Sequence, residues 1–382
     1  MGDIDEKNNV RIMGVGLAPS QGLSKGMVVN INEARDSIRE AVHKAERTAG
    51  YKMESACVGV TGRHISSVNN KGAVAISRTD RLVRPEDLKR VLEVARSVEV
   101  PNDQKVLHVI PRAYTVDGQD GVKDPVGMHG FRLDVETHII TAAATSVQNL
   151  TKCIRGIGIE IDDLILEPLA AAEAVLEPEE RLDGVMLADI GGSTTDIAVF
   201  KDNSVCFTSI LPIGGYQISR DISIGLGLSF EAAEELKKRF GNVAPWHGEE
   251  PEADKPITYG QHSISSRDLS EIIRARVEEL VRLILIESPE KDFAHFIPSG
   301  LVLTGGGANL AGLAELSHDI TRVPVRIGIP PSIPGVSDAL CDPAYATSVG
   351  LMLWRSRNKG AQMPQSKGGF RGLVSPVLRL FR

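Results

Sequence analysis

The stretch "VMLADIGGSTTDIAVFKDNSVCFTSI" constrains the fold of this chain more than any other, because it sets three apolar, β-branched runs in a row with two very different turns between them. "VMLADI", "IAVFK" and "SVCFTSI" read as strands, and Asp202-Asn203 suits a tight hairpin turn between the last two. The result is a strand, loop, strand, turn, strand meander. In the loop, Gly191 and Gly192 let the backbone bend sharply and approach a ligand, while Ser193, Thr194 and Thr195 offer amides and hydroxyls that can converge on an anion. Asp189 and Asp196 flank that turn, and a carboxylate beside phosphates usually holds Mg²⁺, directly or through water. Taken alone, a glycine-rich hairpin with solvated acids fits these residues equally well.

Two further stretches bear on that choice. "LVLTGGGANLAGL" runs an apolar strand into Gly305, Gly306 and Gly307 and then into a predicted helix start, where backbone could lie against a flat or charged ligand. Neither glycine turn is the dinucleotide fingerprint, and no G-K-[ST] ending of a Walker loop occurs. "LILEPLAAAEAVL" carries Glu167 ahead of an alanine-rich helix that can pack closely, an unusual place for a lone acid.

Short strands alternate with helical patterns along the chain, which predicts an α/β architecture. Helices are expected in "DSIREAVHKAERTAG", ending at Gly50, as one unit in "SRDISIGLGLSFEAAEELKKRFG", and in "SSRDLSEIIRARVEELVRLILIE", with Ser265 or Ser266 as its cap. From Ile65 to Glu136 the texture changes to short strands around the helix "RPEDLKRVLEVARSV", read as an inserted subdomain. At 382 residues, 42% hydrophobic, the chain can build two or more domains of roughly 100–200 residues. A formal net charge of -7 argues against nucleic acid as a partner. Four scattered cysteines suggest neither a disulfide framework nor a zinc site, and no pattern among the nine histidines suggests metal ligands.

With these motifs in order, the sequence resembles the actin, Hsp70 and sugar-kinase superfamily. "LADIGGSTTDIAVF" resembles its second phosphate loop, "LILEPLAAAEAVL" its first connecting helix and "LVLTGGGANLAGL" its adenosine loop. "GVGLAPSQGLSKGMVVNINEARDSIREAVHKAERTAG" and "LHVIPRAYTVDGQDGVKDPVGMHGFRLDVETHIIT" resemble one family within it, the bacterial cell-division actin homologue FtsA. The resemblance implies an actin-like ATPase fold of two ribonuclease H-like halves with an inserted FtsA-type subdomain. It divides the chain into 1–64, 137–182 and 335–356 as the first actin-like subdomain and 65–136 as the insertion. Residues 183–221 with 297–334 become the second-half core, 222–296 its smaller subdomain, 357–368 a linker and 369–382 an amphipathic helix.

For the site, the resemblance implies ATP and Mg²⁺ as cofactors, with Asp189 as the phosphate-loop acid and metal residue and Asp196 beside it. Gly191, Gly192, Ser193, Thr194 and Thr195 would meet the β- and γ-phosphates, and Gly305, Gly306, Gly307 and Asn309 the adenosine. Gly214 and Gly215 would leave the same cleft, Glu167 would orient water or Mg²⁺ for hydrolysis, and Glu234 and Lys237 would fall near the adenosine unless they form a solvated helix face. The first half starts late in this comparison: "DEKNN" resembles the turn and "RIMGVGLAP" the third strand, so two strands and the first phosphate loop would precede Met1. A truncated gene start is the expected cause, and a nucleotide-free variant the alternative.

After Arg355 every charge is positive, and "FRGLVSPVLRLFR" closes the chain. Wound as a helix, Phe370, Leu373, Val374, Val377, Leu378 and Phe381 share one face and Arg371, Arg379 and Arg382 the other, which suits an anionic membrane surface. Pro376 interrupts that helix, or starts a shorter one. The expected function is therefore an ATP-binding, filament-forming protein, at most a weak ATPase. It would anchor FtsZ at the division site on the cytoplasmic face of the membrane, through anionic lipids, and recruit later division proteins. A small-molecule kinase on the same fold and a nucleotide-free membrane adaptor are the competing readings.

Overall fold

The computed structural model describes residues 1–97, 100–244, 256–260, 262–290, 292–335 and 340–358. It opens with an antiparallel pair, β1 (Gly2–Ile4) and β2 (Val10–Ile12), joined by a turn in which the Asp5 carboxylate accepts the amides of Lys7 and Asn9. A strand thus precedes the "DEKNN" turn, which the sequence reading had placed at the start of the half. A small hairpin, β3 (Leu23–Ser24) with β4 (Met27–Val28), leads to α1 (Ile31–Ala49). Asn30 caps its start through the amides of Asn32 and Glu33, and Gly50 ends it at φ 83°. β5 (Ser55–Val60) follows.

The insertion comprises β6 (Ile65–Ala75), α2 (Pro85–Arg96), β7 (Gln104–Val116), β8 (Gln119–Val122) and β9 (Arg132–Ala143), in one sheet of order β6-β9-β7-β8. Three of these strands are long, not short as the sequence suggested. Ser66, Ser67, Asn69 and Asn70 conceal β6 because their side chains serve the surface and neighbouring backbone instead of a core. β9 also runs on past Glu136, so the last strand of the insertion extends beyond the expected boundary. Gly72 lets α2 close on the sheet, since a Cβ there would stand 2.6 Å from the carbonyl oxygen of Val91.

Next come α3 (Ala144–Arg155), β10 (Glu160–Leu166) parallel to β5, α4 (Glu167–Val175) and α5 (Pro178–Asp183). The expected meander is present as β11 (Val185–Ile190), β12 (Thr195–Lys201) and β13 (Ser204–Leu211). Asp202 and Asn203 both take left-handed backbone, at φ 54° and 63°, the requirement of a two-residue hairpin matched to strand twist. The single helix expected after the meander is two, α6 (Gly215–Leu226) and α7 (Phe230–Phe240): Gly227 ends the first at φ 64° and the Ser229 hydroxyl caps the second. β14 (Pro256–Tyr259), β15 (His262–Ser265), α8 (Ser266–Ile286) and α9 (Phe293–Phe296) complete the smaller subdomain, with Ser265 as the cap of α8. β16 (Leu301–Thr304) then enters a single 3₁₀ turn, Gly306–Asn309, instead of a helix. α10 (Leu313–Thr321), β17 (Val325–Ile327) and α11 (Ala346–Asn358) follow.

The second-half sheet has the order β13-β12-β11-β16-β17, with β16 and β17 parallel to β11 and β16 respectively. Side chains alternate across it with period two, so each strand feeds two cores. Val185, Leu187, Ala198, Phe200 and Val302 pack with α4 and α11. Met186, Ala188, Ile190, Ile197, Val199, Leu301 and Leu303 pack with α6, α7, α8 and α10. α4 and α11 nearly touch: a Cβ on Gly350 would lie 1.8 Å from the Ala170 carbonyl oxygen, so only glycine fits the crossing.

The linker assigned to 357–368, apart from its first two residues, and the amphipathic helix at 369–382 lie outside the described residues, and with them Phe370, Arg371, Leu373, Val374, Val377, Leu378, Arg379, Phe381 and Arg382. Among the described residues no helix is long and apolar enough to cross a membrane.

Candidate functional site

Strand alternation decides where the acids point. Asp189 has the parity of Leu187, and Asp196 that of Ala198, so both carboxylates face α4 and α11 and not the helices of the second half. The register sets them directly opposite one another on neighbouring antiparallel strands. Like charges in such a pair repel. Glu167, the first residue of α4, closes over them from the first half, packed on Gly59 of β5, where a Cβ would stand 3.0 Å from its carboxylate oxygen Oε1.

Asp189 and Asp196 are buried, at 8% and 2% exposure, and among the described residues none of the three acids has an ion-pair partner. Burial pushes Asp196 up to about 7, and the facing Asp189 adds to that rise against hydrogen bonds from Thr61 and Thr194. Burial also raises Asp189, opposed by the hydrogen bond from Thr347. Glu167 is raised well above the usual carboxylate range, first by burial and then by the charges of Asp196 and Asp189. Three carboxylates thus share one low-dielectric pocket with hydroxyl donors and no basic group. Among the described residues no group of three His, Cys, Asp or Glu side chains is arranged to hold a metal ion directly.

The glycine turns border these acids. In the turn from Gly191 to Thr195, the amide of Gly191 donates to the Thr194 carbonyl at 2.9 Å, while the amides of Gly192, Ser193 and Thr194 donate to no protein acceptor among the described residues. Gly214 and Gly215 lie against the same turn: the Gly215 and Tyr216 amides donate to the carbonyls of Gly191 and Gly192 at 2.9 and 2.7 Å. A Cβ on Gly214 would sit 2.5 Å from the Gly191 carbonyl oxygen. Gly305, at φ 82°, brings the third loop to the end of β11, where a Cβ would be 2.2 Å from Asp189 Oδ1. Gly307 lies over Ile190, and Asn309 donates to Asp342 Oδ1 at 2.8 Å. Thr195 turns its hydroxyl to the Ile213 carbonyl, so it braces the turn and does not face the acids.

Glu234 and Lys237 are not a solvated face. Lys237 donates to Glu234 at 2.7 Å and to the Gly215 carbonyl at 2.9 Å, and Ser219 also donates to Glu234. Although desolvation acts to raise it, the bonds from Lys237 and Ser219 hold the Glu234 carboxyl at about 2. The structure therefore links the turn from Gly191 to Thr195, Gly214, Gly215, Lys237 and Glu234 in one chain of contacts and sets Gly305 against Asp189, while Thr195 turns its hydroxyl away from the acids and Asn309 bonds to Asp342. It adds three that sequence reading missed: Thr61, whose hydroxyl donates to Asp196; Thr347, which donates to Asp189 at 2.6 Å; and Asp342. A threonine at the head of a run such as "YATSVGLMLW", beside Tyr345 and Ser348, carries no local signal of such a role.

The sequence profile described as "Cell division protein FtsA" matches residues 186–350, and "SHS2 domain inserted in FTSA" matches 62–141, slightly wider than the 65–136 expected. The chain is 39% identical to the cell division protein FtsA of Pseudomonas aeruginosa over 97% of its own length and 89% of that protein's. With the protein of the same name from Bacillus subtilis the identity is 40%, over 95% and 82%. A chain of the PilM-PilN type IV pilus biogenesis complex superposes with a TM-score of 0.64 at 18% identity, covering 93% of this chain and 94% of that one, a likeness of fold alone. The fold is that of the actin-like ATPases with an SHS2 domain inserted, and this chain belongs to the cell division protein FtsA family.

Proposed function

We propose that this chain binds ATP with Mg²⁺ in the cleft between its halves, assembles with copies of itself, and ties the FtsZ ring to anionic lipids at the division site, where it recruits later division proteins. One observation carries the nucleotide part: three glycine loops and three carboxylates meet at one end of β11 and β16, with free amides at Gly192, Ser193 and Thr194 between the acids. Free amides in a turn are suited to phosphate oxygens. Carboxylates held together without a basic partner fit a divalent cation, and the lack of a direct three-ligand cage fits one held partly through water and phosphate. When bound, Mg²⁺ would neutralise charge on the phosphates.

The residues of the chain would then position and polarise, with no covalent step. Glu167, whose proton is retained to unusually high pH, is placed to hold or release a proton beside Asp196 once the surrounding charge changes. Lys237 and Glu234 present a donor and an acceptor next to Gly215 at the far end of the loops. Arg355 and Arg357 begin the basic run that continues into the tail, so α11 connects the cleft wall to the proposed membrane anchor.

Equilibrium titration of a fluorescent ATP analogue tests the nucleotide part. Saturable binding that needs Mg²⁺ and is lost in Asp189→Asn is the expected result; absence of binding leaves the adaptor reading. Deleting residues 370–382 should abolish co-sedimentation with anionic vesicles, whereas a small-molecule kinase would not need that segment.

A further inference from the structure

Each acid of the second half is gripped by a hydroxyl from the first. Thr61 lies just beyond β5 and donates to Asp196 Oδ1; Thr347 lies in the first turn of α11 and donates to Asp189 Oδ2 at 2.6 Å. The partners are 135 and 158 residues apart in sequence, so both bonds cross between the halves and neither belongs to any ladder or cap. Among the described residues the other side-chain donor to either acid is the local hydroxyl of Thr194, at 3.2 Å from Asp196 Oδ2. A third bond closes the same seam, from the Gly305 amide to the Pro343 carbonyl in the segment leading into α11. In the closed arrangement the two acids are buried, and these hydroxyls offset part of their desolvation; with the hydroxyls removed the buried acceptors are left short of donors and an arrangement in which water reaches them becomes more favourable.

We propose that Thr61 and Thr347 are latches, positioning residues that hold the cleft closed by donating to Asp196 and Asp189 and that release them when a divalent cation takes those carboxylates. The identity of the releasing ligand rests on the nucleotide reading above; the latch itself does not. A threonine hydroxyl can make this contact where a valine of the same shape cannot, which gives a clean substitution.

The test is hydrogen exchange of the full chain without nucleotide or Mg²⁺, comparing Thr61→Val, Thr347→Val and the double variant with the parent. Peptides spanning 189–196 and 303–308 should exchange at least tenfold faster in the double variant, with α8 and α10 unchanged, and Thr61→Ser with Thr347→Ser should restore parental rates. Acceleration that spreads to α8 and α10 and is not reversed by serine would mark general loss of packing and overturn the latch. Parental rates in the double valine variant overturn it as well. A parallel titration with an ATP analogue and Mg²⁺ separates the two ideas. If the cleft opens in the valine variant but no form binds nucleotide, the latch stands and the nucleotide reading falls; if all forms bind and the cleft stays closed, the latch alone falls.

Discussion

The two halves of the molecule carry the same kind of sheet to different extents. In the second half, five strands form one sheet, β13-β12-β11-β16-β17, whose every described strand residue from Val185 to Ile190 is buried. In the first, the described strands make three separate pairs, β1 with β2, β3 with β4 and β5 with β10. The difference assigns labour. The continuous sheet fixes Asp189 and Asp196 and the loops around them, while the divided half contributes single side chains, Thr61, Glu167 and Thr347, from three separate elements.

The largest effect should come at the crossing of α4 and α11, two first-half helices that pack together on the second-half sheet. Gly350→Val places a branched side chain where even a Cβ would be 1.8 Å from the Ala170 carbonyl oxygen, and neither helix backbone can yield without disturbing that packing. We expect a loss of about 4 kcal/mol or more, because overpacking against backbone leaves no rotamer to relax into. Urea denaturation measures it; a midpoint equal to that of the parent would mean that α4 and α11 can part at this crossing without cost.

Next in size is a pair of core truncations that sharpens the contrast. Leu187→Ala, fully buried in β11, should cost roughly 2–5 kcal/mol. Val10→Ala in β2 removes two methyl groups at 8% exposure and should cost only about 1–2 kcal/mol. Native-state hydrogen exchange should agree, with amides of β11, β12 and β16 the slowest and those of β1 and β2 opening locally. Equal protection in both sheets would break the comparison.

The acid cluster predicts a pH dependence of unusual sign. Asp196 is held at about 7, so between the ordinary carboxyl value and about pH 7 the folded chain binds a proton that the unfolded chain has lost. Its stabilising contribution is fully present below about pH 4 and is lost as pH rises through about 7. The buried His108 and His138, depressed by burial to about 4 and about 3, act in the opposite sense: their contribution is present above about pH 6.5 and is lost as pH falls through those values. The difference between the parent and Asp196→Asn reports on Asp196 together with Glu167, whose carboxyl is raised by burial and then by the charge of Asp196. Melting curves at pH 5 and pH 8 should show the parent losing on the order of 2 kcal/mol relative to the variant, and a difference that does not change with pH would show that Asp196 is ionised throughout.

Much of this division was legible in the sequence, for physical reasons that differ by region. The meander announced itself because β-branched runs and the Asp202-Asn203 turn agree on one structure, and the glycine loops because so many small residues follow a strand only where backbone must come close. The break between α6 and α7 was written in Gly227 and Ser229 but lost inside a continuous amphipathic pattern. β6 was hidden because its polar residues satisfy backbone groups of a neighbouring sheet, as Asn69 does at the Cys206 carbonyl. Thr61 and Thr347 were illegible: their partners lie across the fold, and nothing local distinguishes a threonine that latches an acid from one that fills a turn.

The smallest expected effect concerns the equivalent turns of the two halves. Asn203 sits at φ 63° between β12 and β13, and Asn8 at φ 64° between β1 and β2, and asparagine tolerates that backbone better than alanine does. Alanine at either position should therefore cost about 1 kcal/mol locally, and glycine close to nothing. The turns differ in what surrounds them. The amides of Asp202 and Asn203 donate to Leu182 and Arg181 carbonyls, which couples the second-half hairpin to α5 and the whole sheet. The first-half turn is held by Asp5 and by the Ser356 hydroxyl on the Asn8 carbonyl, and its strands pair with each other and, among the described residues, with the rest of the fold through one isolated bridge, from Ile12 to Gly335. A substitution in a segment that opens by itself lowers local protection more than global stability. Asn203→Ala should thus shift the urea midpoint by its full local cost, while Asn8→Ala should show mainly as faster amide exchange in β1 and β2 with a smaller shift of the midpoint. Equal midpoint shifts would mean that the two halves unfold as one cooperative unit, and that the divided sheet is as tightly coupled to the core as the continuous one.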